Sequence, residues 1–156
     1  MKRLLAAMIL CMPLGLAAAP PQAASPRPAL DAELARSVGA DEYGMRRYVL
    51  VILKTGPHPM PAGNARDEMF KGHFANINRL ASEGKLALAG PLDGVNGWRG
   101  LFILAVPGID EARRLTETDP VISSGEMVAE YHRYYGSAAL MLVNEAHARV
   151  ASTSPL

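Results

Sequence analysis

Tyr48-Val-Leu-Val-Ile-Leu53 decides the fold. These six consecutive aliphatic, β-branched and aromatic residues are followed, after Lys54, by the turn-rich Thr55-Gly-Pro-His-Pro-Met-Pro61. The run predicts a strand with both faces buried, because a half-solvated strand alternates apolar with polar residues. A second such run, Gly100 to Val106, makes the same demand. Between them, Asp67 to Ser82 has helical periodicity and stops at Gly84, and Lys85 to Ala89 is a short strand ended by Gly90-Pro91. A loop carrying Asp93, Gly94, Asn96 and Gly97 joins the two strands. Downstream, Asp110 is expected to cap a helix to about Thr118, Asp119-Pro120 to stop it, and Met127 to Tyr135 to form the last strand. Gly136-Ser137 is expected to open a C-terminal helix reaching Arg149.

The order β-α-β-β-α-β is the split βαβ of ferredoxin-like α+β folds. Its helices cover one face of the sheet, and a unit of about 90 residues has no second layer for the other. The two candidate covers are a second copy, sheet against sheet in a homodimer, and the C-terminal helix.

Upstream of this unit, Lys2 and Arg3 precede the apolar run Leu4 to Leu16, and Ala17, Ala18 and Ala19 follow. A basic start, an apolar core and a small-residue exit form the pattern of a secretory signal peptide; the run is too short, and too broken by Pro13, for a membrane span. The expected division is a leader over 1–24, a Pro/Ala/Ser-rich linker with a short helix capped by Asp31 over 25–46, the main domain over 47–136, and a C-terminal helix and tail over 137–156. The protein is expected to be periplasmic or secreted, without stable membrane association.

Composition excludes several function classes. The chain has 156 residues, 49% of them hydrophobic, with a net charge of +1 and one cysteine, Cys11, which lies in the leader. Removing Lys2 and Arg3 lowers the basic count from 16 to 14 against 15 acidic residues, so the mature chain is slightly acidic and no nucleic-acid partner is expected. A single cysteine rules out a disulfide scaffold. Gly94, Gly97 and Gly100 have the wrong spacing for a phosphate loop, and His58, His73, His132 and His147 fall on separate elements, so neither an organic cofactor nor a metal is expected.

On a helical projection of about 100° per residue, His73 falls within the apolar arc of Met69, Phe70, Phe74, Ile77, Leu80 and Ala81. A histidine pointing at the sheet needs a partner for its ring nitrogens. Periodicity alone leaves open a satisfied core histidine, a catalytic one and a metal ligand. Asp119 before Pro120 is by itself ordinary turn chemistry.

The segment His73-Phe-Ala-Asn-Ile-Asn-Arg-Leu-Ala-Ser-Glu-Gly84-Lys-Leu, then Ala89-Gly90-Pro91, Gly100 and Thr118-Asp119-Pro120, resembles the YCII-related (YciI-like) proteins over about Tyr48 to Tyr135. That resemblance implies a dimeric α+β barrel and a His-Asp pair, His73 and Asp119, as the catalytic residues. Such a pair suits general acid-base proton transfer on a small molecule, of lyase or isomerase type: Asp119 fixes the imidazole tautomer and the other nitrogen moves the proton. Tyr131, His58, Gly90 and Pro91 are the expected substrate contacts. The alternative from another class is a non-catalytic ligand-binding or dimeric interaction module.

Overall fold

A computed structural model describes residues 28–153. The expected leader lies outside these residues. Strand β1 (Met45–Thr55) contains the deciding run and begins three residues before it. Val49, Val51 and Leu53 point to one face and Tyr48 and Ile52 to the other, and all five are buried. Burying each such aliphatic side chain contributes about 1.5–3 kcal/mol, which makes β1 the natural centre of the sheet.

Antiparallel β1 pairs with β3 (Trp98–Leu104) on one side and β4 (Met127–Ser137) on the other, while β2 (Leu86–Pro91) pairs with β3 at the edge. The order β2-β3-β1-β4 is that of a ferredoxin-like sheet. Pro91, which has no N–H to donate, closes the edge strand where it does least harm.

Helices α2 (Asn64–Ser82), α3 (Ile109–Glu117) and the single turn α4 (Pro120–Ser123) lie on the face of Val49, Val51 and Leu53. Their Met69, Leu80, Ala112 and Val121 close the main core with Phe102 and Leu104. Helix α2 starts at Asn64 rather than Asp67, because the turn residues end at Gly63 and Ala65 and Arg66 are good helix formers. Gly84, at φ +68, ends the run as expected. Asp110 does not cap α3: Gly108 holds that position with no side-chain bond, and Asp110 sits in the first turn, where its charge meets the positive end of the helix. Ahead of the sheet, Asp31 caps α1 (Ala32–Ser37) through bonds from Glu33 N–H and Leu34 N–H.

On the other face, the expected C-terminal helix is divided. A 3-10 turn over Ala138–Leu142 folds back on the sheet and sets Leu140 and Met141 against Tyr48, Leu50, Leu88, Leu101 and Ile103. Helix α5 (Val143–Val150) then leaves that face and runs along the β2 edge, where Asn144 Nδ2 donates to Leu86 O at 2.7 Å. The C-terminal segment therefore covers only part of the open face, and Val128 and Tyr134 of β4 stay exposed on it.

Candidate active site

The register of α2 delivers His73 to the sheet. Its ring stacks on Phe102 of β3, with centroids 5.9 Å apart, and Phe70 and Phe74, one turn back and one residue on, flank it at 6.0 and 5.3 Å. Nδ1 lies 2.9 and 2.8 Å from the two carboxylate oxygens of Asp119. Asp119 is fully buried and has two duties, because Pro120 does not merely stop α3. Proline occupies the first position of α4, where a missing N–H costs nothing, and Asp119 caps that turn by accepting from Val121 N–H at 3.1 Å. The turn chemistry and the histidine contact are made by one carboxylate.

A third residue belongs to the group. Asn76 is buried and donates from Nδ2 to Asp119 Oδ2 at 3.1 Å, while its Oδ1 accepts from Arg79 at 2.7 Å, which fixes the amide orientation. Helical periodicity passes over Asn76 because a polar residue at the border of the apolar arc reads as solvated. With Asn76 and Val121 N–H already donating to it, Asp119 accepts from Nδ1–H, so in the neutral ring the lone pair is on Nε2, which has no partner among the described residues.

His73 opens onto a cleft of about 880 Å³ between α2, the β2–β3 edge and α5. Of the expected contact residues, Gly90 and Pro91 line this cleft with His73. Tyr131 and His58 are not brought to it. Tyr131 faces α3, where its hydroxyl meets Thr116 Oγ1 at 2.5 Å beneath Arg113. His58 packs over Gly125, to whose carbonyl its backbone N–H donates at 3.0 Å. In their place, Asn144 and His147 of α5 form the far wall, a placement no local pattern announces because it depends on how the chain folds back after β4. Among the described residues, no three His, Cys, Asp or Glu side chains gather as metal ligands, and no helix is long and apolar enough to cross a membrane.

A buried ion group borders the cleft. Glu126, 1% exposed just ahead of β4, accepts from Met60 N–H at 2.6 Å and from Arg66 at 2.9 Å, and Arg99 stands 3.8 Å away. Burial pushes this carboxyl up, but the Met60 N–H bond, the Arg66 bond and the two guanidinium charges together hold it below the usual carboxylate range. Arg66 also lies over the Phe70 ring at 4.6 Å, which ties the ion group to the aromatic wall of the cleft.

No protein-family profile matches the chain. A 58-residue stretch is 29% identical to the uncharacterized protein YjpA of Bacillus subtilis, covering 37% of this chain and 66% of that protein, just under two thirds of its length. Among solved structures, the 5-chloro-2-hydroxyhydroquinone dehydrochlorinase TftG of Burkholderia phenoliruptrix, determined with 2,5-dihydroxybenzoquinone, is similar over 55% of this chain and 92% of its own, at 19% identity and a TM-score of 0.40.

Proposed function

We propose that the protein is an exported small-molecule enzyme of the YCII-related kind that moves a proton by general acid-base catalysis, in a lyase or isomerase reaction, with His73 as the proton carrier and Asp119 as its orienting partner. The observation that carries this reading is the bidentate contact of His73 Nδ1 with Asp119, at 2.9 and 2.8 Å, in a histidine that lines a largely apolar cleft. In the proposed step, Nε2 takes a proton from a carbon next to a carbonyl group, and the C–H electron pair forms a C=C bond as the carbonyl π pair moves onto oxygen. The imidazolium formed is stabilised by Asp119. The proton then returns at another atom in an isomerisation, or a leaving group departs in an elimination. No nucleophile and no redox partner enters this scheme.

The leader pattern over 1–24 supports export. The partly covered sheet face, with Val128 and Tyr134 exposed on β4, supports a homodimer as the working form. A second reading, a non-catalytic binding module, is favoured by the packing of His73, which is 7% exposed among three phenylalanine rings as a core histidine would be. His73→Gln separates the two. The enzyme reading expects a folded protein without turnover toward small lactones, enols and aromatic acids that the wild type converts; a variant that loses its fold, with no turnover by the wild type, favours the module.

A further inference from the structure

Arg99 is the one formally charged side chain among the described residues lining the cleft, and no carboxylate lines it. Its guanidinium makes no hydrogen bond among the described residues. The nearest anion, Glu126, stands 3.8 Å away and is already engaged by Arg66 at 2.9 Å and Met60 N–H at 2.6 Å. Two arginines against one carboxylate leave a positive charge in surplus, and the surplus belongs to the arginine that borders the cleft. Asp119, the other buried acid nearby, sits behind His73 and is occupied by three donors. The remaining wall is largely apolar and partly aromatic, with Phe70, Phe74, Phe102, Leu88 and Pro91, and its polar members, Asn144 and His147 among them, carry no formal charge. A guanidinium with free donors in such a wall is a receptor for one flat anion, because the fork of N–H groups matches a carboxylate and its loose hydration makes the exchange inexpensive.

We propose that the cleft takes a small monoanion with a flat apolar body, of the aromatic or enolic acid class, and that Arg99 pairs with its anionic group. The proposal deepens the reading of the His73 cleft as a substrate site, and it names a binding residue and a substrate charge that the acid-base pair leaves open.

Benzoate and its neutral isostere benzamide, titrated into the folded protein and followed by NMR, test it without any turnover. Wild-type protein is expected to bind benzoate at least about tenfold more tightly than benzamide, since a charge-assisted pair is roughly twice as strong as a neutral bond. Arg99→Gln is expected to abolish that preference, and His73→Gln to keep it. Failure of the acid-base reading, with His73 idle, would leave the preference intact, so the two failures are distinguishable. Raising the salt concentration should weaken benzoate and leave benzamide unchanged, a readout that needs no variant. Equal binding of the two probes, no benzoate binding up to about 10 mM, a preference that survives Arg99→Gln, or a salt-independent benzoate affinity each overturns the proposal.

Discussion

Gly72 of α2 and Pro120 of α4 meet so closely that a Cβ on Gly72 would stand 2.9 Å from Pro120 Cγ. Each is the chain neighbour of a member of the His73–Asp119 pair, so the contact that lets the helix approach the turn also sets the reach of the pair. A proline ring cannot swing aside as the end of a flexible side chain can. Gly72→Ala should gain about 1 kcal/mol of helix propensity and lose about 1–3 kcal/mol to overpacking. A net loss near 1 kcal/mol by urea denaturation, with a lengthened His73–Asp119 contact in a crystal structure of the variant, is the expected outcome. A variant at least as stable as the wild type with the contact unchanged would show that the approach is not limiting.

Asp119 has two roles that two substitutions separate. Asp119→Asn keeps the shape and the cap of α4, since asparagine caps as well as aspartate, but its amide no longer offers two equivalent acceptors to Nδ1–H. Turnover should fall by about 10²-fold or more while the fold stays intact. Asp119→Ala also removes the cap and strands Asn76, and it should cost about 2–4 kcal/mol in stability, measured by chemical denaturation.

The Nδ1–H tautomer of His73 is a separate expectation. A nitrogen-15 NMR spectrum of the neutral ring in the wild type should show Nδ1 protonated and Nε2 bare, and the assignment should become mixed in Asp119→Asn. A neutral ring protonated at Nε2 would remove the lone pair that the proposed chemistry uses.

Glu126 makes the fold pH-dependent with a definite sign. Its carboxyl is held below its ordinary value, so it binds protons less readily in the native state than in the unfolded chain. Its stabilising contribution is therefore complete above the unfolded value and is lost as pH falls through the folded one, over a window that opens below about pH 5. Glu126→Gln should flatten the fall in the urea midpoint between about pH 5 and pH 3 and lower stability at neutral pH by about 1–3 kcal/mol, a range reduced from that of a fully buried pair because Arg66 and Arg99 are partly exposed.

Much of the fold was legible in the sequence, for physical reasons that particular residues show. The runs from Tyr48 and from Gly100 could only be buried strands, and Gly84 and Gly90-Pro91 marked element ends with residues of restricted or unusual conformation. His73 stood out because a polar ring on an apolar helical arc violates the pattern around it. Asp119 did not stand out by itself, since an aspartate before proline looks like any turn, and only the resemblance singled it out. Asn76 and Glu126 were silent. One borders the apolar arc, the other precedes a strand after Gly125, and in both places a polar residue reads as solvated until tertiary packing buries it. Tyr131 and His58 have side chains suited to substrate contact, but packing turns the first toward α3 and the second onto Gly125. The cleft itself arises from the return of α5 to the β2 edge, a long-range event that no local window contains.

The self-association expected of the partly covered face is measured by analytical ultracentrifugation. A dimer at micromolar concentration, weakened by Val128→Glu and Tyr134→Glu together, is the expected outcome, because two charges in a sheet-to-sheet contact would be buried unpaired. A strict monomer at that concentration removes the homodimer.

Proton transfer by His73 is read most directly by deuterium incorporation in heavy water at the carbon next to the carbonyl of small lactones and enolisable keto compounds. The wild type is expected to accelerate exchange at one carbon of at least one such compound, and His73→Gln, folded by circular dichroism, to leave it at the buffer rate. Equal exchange with both proteins, or none above buffer with any compound, contradicts the role of His73 as the proton carrier.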